Sequence, residues 1–188
     1  MFLFNQSINV IILSEVWRNN IEFYRNILPG YVLYYDLPHD SNVGGVGIYV
    51  KDCYVVKPLP EYKIYSTGNM KVENIWLELS KNSTKYIICG MYRRPNHAVT
   101  EFICELDKVL TNVSSHNTPC LIAGDINVDL TKCKVNNHTA EYINNLLTHN
   151  FMPTVLMPTR KTSRSSTLID HIYYFEGCNN KRGVNIKI

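Results

Sequence analysis

The segment Pro119–Leu130, with the sequence PCLIAGDINVDL, constrains the fold more than any other part of the chain. Its apolar run, Cys120 to Ala123, is typical of a buried strand, and Asp125 and Asn127 follow soon after Gly124. Because an unpaired carboxylate is costly to bury, an acid at this position needs a partner or a bound ion. Open α/β sheets bind their ligands just beyond such strand ends. The segment therefore predicts a buried strand that leads directly into a functional site.

Short apolar runs and two helical patterns alternate along the rest of the chain. Residues 73–80, ENIWLELS, alternate Ile75, Leu77 and Leu79 with Trp76 and Glu78, which predicts a strand with two different faces. Further buried strands are predicted at Ile8 to Glu15, residues 31–37, 46–50 and 85–94, and Leu168 to Phe175. One helix is predicted from the apolar spacing of residues 99–113, and a second from Ala140, Ile143, Leu146 and Leu147.

Strands that alternate with amphipathic helices indicate an α/β fold. Two pairs of consecutive strands have no helix between them, so the sheets are predicted to be mixed. The 188 residues, of which 45% are hydrophobic and 19% charged, suit one globular domain spanning residues 1–188. The net charge of +3 permits an anionic partner without requiring one.

The cysteines and the hydropathy bear on the cellular compartment. No two of the six cysteines form a Cys-x-x-Cys pair, and Cys89, Cys104 and Cys120 lie in apolar runs, which predicts buried, reduced thiols. The first residues lack the basic region of a signal peptide. No apolar run approaches the roughly 18 residues of a membrane span. We therefore expect an intracellular protein that is not secreted and has no membrane partner.

Polar residues collect at the ends of four predicted strands. Each has an ordinary structural explanation: Glu15 as a solvated strand end, Tyr92 as a packing aromatic, and Asp125 as a turn cap. Asp170 and His171 are neighbours in one strand, so at most one of them can face a given site. The polar strand ends are Ser14-Glu15, Tyr92-Arg93-Arg94, Asp125 with Asn127, and Asp170-His171.

Taken together, these groups suit phosphodiester hydrolysis. Mg²⁺ is bound by one or two carboxylates with water and phosphate oxygens, and Glu15 can supply a carboxylate. The reaction needs a base for water, a task that suits Asp125. It also needs donors for the charge that builds on the phosphoryl oxygens. Asn127, Tyr92 and an arginine of the Arg93-Arg94 pair suit that second task.

Four motifs in this order, ILSEVW, GMYRRPN, LIAGDINVDL and STLIDHIYY, resemble the endonuclease/exonuclease/phosphatase superfamily. The likeness is greatest to the apurinic-type endonuclease domain of non-LTR retrotransposons, and it extends from about Ile8 to Tyr174. The resemblance implies a deoxyribonuclease-I-like four-layer fold: two mixed β-sheets packed as a sandwich, with helices outside and the site at one end. It also implies Mg²⁺ or Mn²⁺ as cofactor, DNA as partner, a reverse transcriptase domain downstream and a nuclear location.

The resemblance also implies a role for each matching residue. Glu15 matches the metal-binding glutamate, and Tyr92 matches the tyrosine that contacts the scissile phosphate. Asp125 matches the aspartate that positions the attacking water, and Asn127 its phosphate-holding partner. Asp170 matches the carboxylate that orients the catalytic histidine. Arg93 and Arg94 are predicted to contact the substrate as well.

Two parts of the family pattern are missing: an early asparagine that orders the metal site and a closing Ser-Asp-His motif. His171 is a poor substitute because it should face away from Asp170. We therefore expect an incomplete, truncated domain that is weak or inactive as this chain. The alternatives are a non-catalytic remnant that binds nucleic acid and a phosphatase or sphingomyelinase of the same superfamily. The remnant would bind through Arg93, Arg94, Arg160, Lys161 and Arg164.

Overall fold

The computed structural model describes residues 8–177. Three helices and eleven strands are present in this part of the chain. In chain order they are β1 (Val10–Ser14), α1 (Ile21–Asn26), β2 (Tyr31–Asp36), β3 (Val46–Lys51), β4 (Val55–Pro58), β5 (Val72–Lys81), β6 (Thr84–Arg93), α2 (Val99–Ser115), β7 (Cys120–Asp125), α3 (Asn137–Thr148), β8 (Met152–Pro153), β9 (Arg160–Lys161), β10 (Ser166–Thr167) and β11 (Asp170–Phe175).

The larger sheet has six strands in the order β4-β5-β6-β7-β11-β8. All of its pairs are antiparallel except β6 and β7, which are parallel and are connected through α2. A parallel pair requires such a crossover, because the chain must return to the end where the first strand began. The predicted mixed sheet is confirmed here, and the crossover places the ends of β6 and β7 side by side.

A second sheet, with strands in the order β1-β3-β2, packs face to face on the first. Both of its strand pairs are antiparallel. Ile48 and Val50 of β3 lie between the sheets in one apolar cluster with Leu77 and Leu79 of β5. The alternation predicted for residues 73–80 is confirmed, because Trp76 faces the other way, into the cluster under the helices.

Helices lie on both outer faces, two on the large sheet and the short α1 on the small one, which gives the four layers. On the large sheet, Phe102 and Leu106 of α2 and Tyr142 of α3 pack in one core cluster. On the small sheet, the Tyr49 hydroxyl donates a hydrogen bond to the main-chain carbonyl of Tyr24 in α1. The predicted sandwich with helices outside is confirmed. No helix within residues 8–177 has the length and apolar character needed to cross a membrane.

Some local predictions were wrong. The buried residues of α3 are Thr139, Tyr142 and Leu146. Leu147, which was predicted to be buried, is 38% exposed because it lies to one side of this buried face. Every residue of β1 is only half-buried, since this strand is an edge of the smaller sheet. Cys104 is exposed on the outer side of α2, although Cys89 and Cys120 are buried free thiols.

Candidate functional site

The end of β1 forms one side of the site. Ser14 is the last residue of β1, and Glu15 follows with a positive φ of 59°. Such a backbone is uncommon for a residue with a side chain and persists where the surroundings fix it. The exposed Glu15 carboxylate accepts a hydrogen bond from the Tyr92 hydroxyl at 3.0 Å. This contact ties the end of β1 to the end of β6.

The ends of β7 and β11 form the opposite side. Asp125 pairs in register with Asp170, and its main-chain N–H donates to the Ser14 hydroxyl at 3.1 Å. The Asp125 carboxylate accepts from the main-chain N–H of Asn127 at 3.1 Å. The Asp170 carboxylate accepts from the Thr159 hydroxyl at 2.6 Å. These contacts gather the predicted site residues at one end of the sandwich: Glu15, Tyr92, Asp125, Asn127 and Asp170.

Asp125 is a perturbed carboxyl group. Only 5% of the residue is exposed. Burial first, and then the neighbouring Asp170 carboxylate, raise the pKa of Asp125 to about 6, and Glu15 acts in the same direction. The Asn127 N–H and the Arg160 guanidinium, 3.7 Å from the Asp125 carboxylate, lower the pKa by less. The site therefore carries more negative charge than its own cations balance.

A buried ion pair lies behind Tyr92. Glu73 is the register partner of Tyr92 between β5 and β6, and its carboxylate accepts from the Arg94 guanidinium at 3.0 Å. Arg94 also donates to Asp40 at 2.8 Å. Burial raises the pKa of Glu73, and the Arg94 charge opposes this. The guanidinium of Arg94 is thus held between a buried and an exposed carboxylate.

Arg93 does not occupy the position that a substrate contact requires. The residue is 2% exposed, and its guanidinium faces the interior of the protein. Its Nε, Nη2 and Nη1 atoms donate to the main-chain carbonyls of Ile126, Asn127 and His97 at 2.8, 2.8 and 2.9 Å. The alternation along β6 is the physical reason, because Tyr92 and Arg93 must point in opposite directions.

His171 faces away from Asp170, as the alternation predicts. It is buried with Nδ1 3.1 Å from the Tyr142 hydroxyl and Nε2 3.2 Å from the Leu168 carbonyl. A carbonyl can only accept, so Nε2 carries the proton and Nδ1 accepts from Tyr142. Burial lowers the pKa of His171 to about 4, which leaves a neutral imidazole at neutral pH. His171 belongs to the core beneath α3.

The donor atoms fit a hard divalent cation held by few protein ligands. Mg²⁺ often takes one or two carboxylates and completes its shell with water and phosphate oxygens. Within residues 8–177, no group of three or more His, Cys, Asp or Glu side chains is arranged to hold a metal by itself. Glu15 offers an exposed carboxylate, and burial first and then the Asp170 carboxylate raise the pKa of Asp125 beside it. The residues fit an ion shared between Glu15 and a bound substrate.

Three contacts at the site were not predicted from the sequence. Ser14 was recognised as part of a polar strand end, but its contact with the main chain of Asp125, which joins β1 to β7, was not predicted. Glu73 begins the alternating pattern of β5, where a buried acid could have been noticed because its side chain shares a face with Ile75 and Leu77. Thr159, the partner of Asp170, carries no signal beyond its place in a polar loop.

Fold and site together define a four-layer α/β sandwich whose polar cluster lies at one end of the two sheets. The chain belongs to the Endonuclease/Exonuclease/phosphatase family, which it matches over residues 3–183. Enzymes of this family generally depend on divalent metal ions. No curated protein matches the sequence.

Solved structures share the fold at low sequence identity. The endonuclease domain of TRAS1, a telomere-specific non-LTR retrotransposon, aligns with a TM-score of 0.66 and 11% identity over 88% of this chain and 72% of its own. The AP endonuclease LMAP from Leishmania major aligns with a TM-score of 0.67 and 11% identity over 88% of this chain and 69% of its own. D. rerio TDP2, complexed with a single-strand DNA product, aligns with a TM-score of 0.61 and 12% identity. The alignment covers 93% of this chain and 73% of TDP2. These similarities establish the fold, and the predicted resemblance is confirmed.

Proposed function

We propose that this chain is a metal-dependent phosphodiesterase domain that nicks DNA and derives from the endonuclease of a non-LTR retrotransposon. The observation that carries the proposal is the convergence of Glu15, Tyr92, Asp125 and Asn127 at one end of the sandwich. The similarity to the TRAS1 endonuclease domain supports the retrotransposon origin. The similarity to TDP2, whose structure contains a single-strand DNA product, and to the AP endonuclease supports a nucleic acid substrate.

Each side chain has a chemical task in this proposal. A Mg²⁺ or Mn²⁺ ion on Glu15 would neutralise charge on the phosphoryl oxygens when bound. Asp125, as the carboxylate, accepts a proton from the attacking water or orients it. The Asn127 amide donates to the phosphoryl oxygens, where negative charge develops, and the Tyr92 hydroxyl, which donates to Glu15 in the free protein, turns its one proton to them when substrate binds. Burial and Asp170 raise the pKa of Asp125 to about 6, so the carboxylate remains the main form at neutral pH.

A basic hairpin beside the site suits a nucleic acid backbone. The two-stranded sheet of β9 and β10 carries Arg160, Lys161 and Arg164 around its turn, and all three are exposed. Thr159 bonds to Asp170, and Arg160 lies 3.7 Å from Asp125, so the hairpin borders the cleft. Exposed arginines and lysines neutralise phosphates and make binding depend on salt. We propose that this hairpin contacts the DNA backbone next to the cleaved bond.

The proposed activity of this chain is low. No histidine within residues 8–177 makes a hydrogen bond to Glu15, Tyr92, Asp125, Asn127 or Asp170, and His171 is turned into the core. A donor that stabilises the developing phosphoryl charge typically contributes 10²- to 10³-fold to a rate, so about this factor is lacking. In a longer retrotransposon protein with a reverse transcriptase domain, we propose that the nuclease acts in the nucleus.

A plasmid-nicking assay tests the proposal. The chain is incubated with supercoiled DNA and Mg²⁺, and the relaxed form is followed with time. We expect slow nicking that stops in EDTA and is lost in Asp125→Asn. The matched control is Asp52→Asn, because Asp52 is exposed at the turn between β3 and β4 and should leave the rate unchanged. Nicking by Asp125→Asn at the wild-type rate would refute the assigned role.

The second candidate is a non-catalytic remnant that binds nucleic acid. Two observations favour it: among the described residues no histidine is bonded to the site, and the β9–β10 hairpin carries three exposed basic residues. Salt-dependent DNA binding without any Mg²⁺-dependent nicking would support it. Replacement of Arg160, Lys161 and Arg164 by Gln should weaken that binding and reduce its salt dependence, because fewer phosphates are neutralised.

A further inference from the structure

Arg93 and Asn127 are connected in both directions. The Arg93 guanidinium donates to the Asn127 carbonyl at 2.8 Å. The Asn127 side-chain Nδ2 donates in turn to the Arg93 carbonyl, also at 2.8 Å. The last residue of β6 is thereby joined, main chain and side chain, to the loop that follows β7. Two side chains that each hold the other's main chain fix one relative position of the two segments.

This bridge holds Asn127 in a backbone conformation that it would rarely adopt alone. Asn127 has a φ of 54°, in the left-handed region that only glycine visits freely and asparagine tolerates. The Arg93 fork binds two successive carbonyls, those of Ile126 and Asn127, on either side of this unusual linkage. A planar guanidinium can bind both at once, whereas an ammonium acts as a single point charge.

Arg93 is a buried cation whose hydrogen-bond partners are main-chain carbonyls. The residue is 2% exposed, no carboxylate in residues 8–177 forms an ion pair with it, and burial lowers its pKa. An apolar side chain here would leave the main-chain carbonyls of Ile126, Asn127 and His97 without their donor. The guanidinium therefore fixes the arrangement of the loop after β7.

The consequence is felt at the catalytic end. With Nδ2 bonded to Arg93, the Asn127 carboxamide has one rotamer, and its Oδ1 and second N–H have no hydrogen-bond partner among the described residues. The main-chain N–H of the same residue is bonded to the Asp125 carboxylate. We propose that Arg93 is a positioning residue, which aims the Asn127 amide at the substrate phosphate and keeps the Asp125 carboxylate in register with it. The substrate phosphate in this inference rests on the proposed function, whereas the contacts between Arg93 and Asn127 do not depend on it.

Hydrogen exchange measured by NMR on the full chain in EDTA tests the inference without requiring activity. In Arg93→Met we expect the main-chain N–H and the carboxamide of Asn127 to exchange at least about 10-fold faster, because the loop loses its fork. The main-chain amides of Leu77 and Leu106, in β5 and α2, should change by less than about 2-fold. Arg93→Lys should fall between Arg93→Met and the wild type, because lysine restores a donor but not the fork.

The outcomes separate cleanly. Unchanged exchange at Asn127 in Arg93→Met would overturn the positioning role, and so would equal acceleration throughout the chain, which would indicate a purely structural residue. If Arg93→Met does not fold, Arg93→Lys decides alone by the same comparison of Asn127 with Leu77. Failure of the nicking assay would remove the proposed function and leave this exchange result standing.

Discussion

Replacement of Asp125 by Asn should stabilise the folded chain while it removes the proposed base. The residue is 5% exposed, and burial and Asp170 raise its pKa from 3.8 to about 6. Each tenfold change in proton affinity corresponds to about 1.4 kcal/mol. The ionised carboxylate therefore costs the folded state about 3 kcal/mol at neutral pH. Asn keeps the shape and the acceptor for the Asn127 N–H without the charge.

The sign of the pH dependence follows from the raised pKa. The folded state binds this proton more tightly than the unfolded state, so the contribution is fully present below pH 3.8 and is lost as the pH rises towards about 6. Asn cannot titrate. The free energy of unfolding of Asp125→Asn should exceed that of the wild type by about 1 kcal/mol near pH 4.5 and by about 3 kcal/mol near pH 7.5.

Urea unfolding in EDTA at both pH values measures this difference. The comparison is made between variants at one pH, because His171, whose pKa burial lowers to about 4, changes the stability in the opposite direction. Asp52→Asn serves as the exposed control and should follow the wild type at both pH values. A gain that is the same at both pH values, or a loss at pH 7.5, would refute the claim that Asp125 is a strained carboxylate.

Two further substitutions test neighbouring elements. His171→Phe should reduce the loss of stability as the pH falls from 6.5 to about 4, because the buried neutral imidazole gains a proton only on unfolding. Urea unfolding at several pH values measures this loss, and a pH dependence identical to that of the wild type would refute the prediction. Gly124→Ala should lower the free energy of unfolding by more than about 3 kcal/mol or prevent folding, because the added Cβ would lie 1.8 Å from the Met91 carbonyl oxygen. A thermal unfolding midpoint within about 2 °C of that of the wild type would contradict the close approach of β7 to β6.

Much of the fold was predictable because its strands carry strong patterns. The period-two alternation of residues 73–80 separates Trp76 from Leu77, and in the structure they face the helices and the second sheet respectively. The helical spacing of residues 99–113 matches the buried face of α2. In both elements the apolar residues of the pattern are those that the structure buries on one face.

The site residues were predictable where polar residues end apolar strands. They were not predictable where the site depends on which way a side chain points or on how two strands are paired. Asp125 and Asn127 follow directly from the strand that precedes them. The interior position of Arg93 depends on which face of β6 meets the loop after β7, and both arginines of the Arg93-Arg94 pair read alike in the sequence. The partnership of Glu73 with Arg94 joins two strands whose register no local pattern reveals.

In the proposed function, Glu15, Tyr92, Asp125 and Asp170 surround one place for a cation and a phosphate. Manganese-induced broadening of NMR signals tests it most directly, because broadening falls steeply with distance from the bound ion. Titration with Mn²⁺ should first broaden signals of these residues and of Asn127, with Asp52 at the far turn unaffected, and Glu15→Gln should abolish the effect. Broadening centred on any other part of the surface, or left intact by Glu15→Gln, would show that the cation does not bind at these residues.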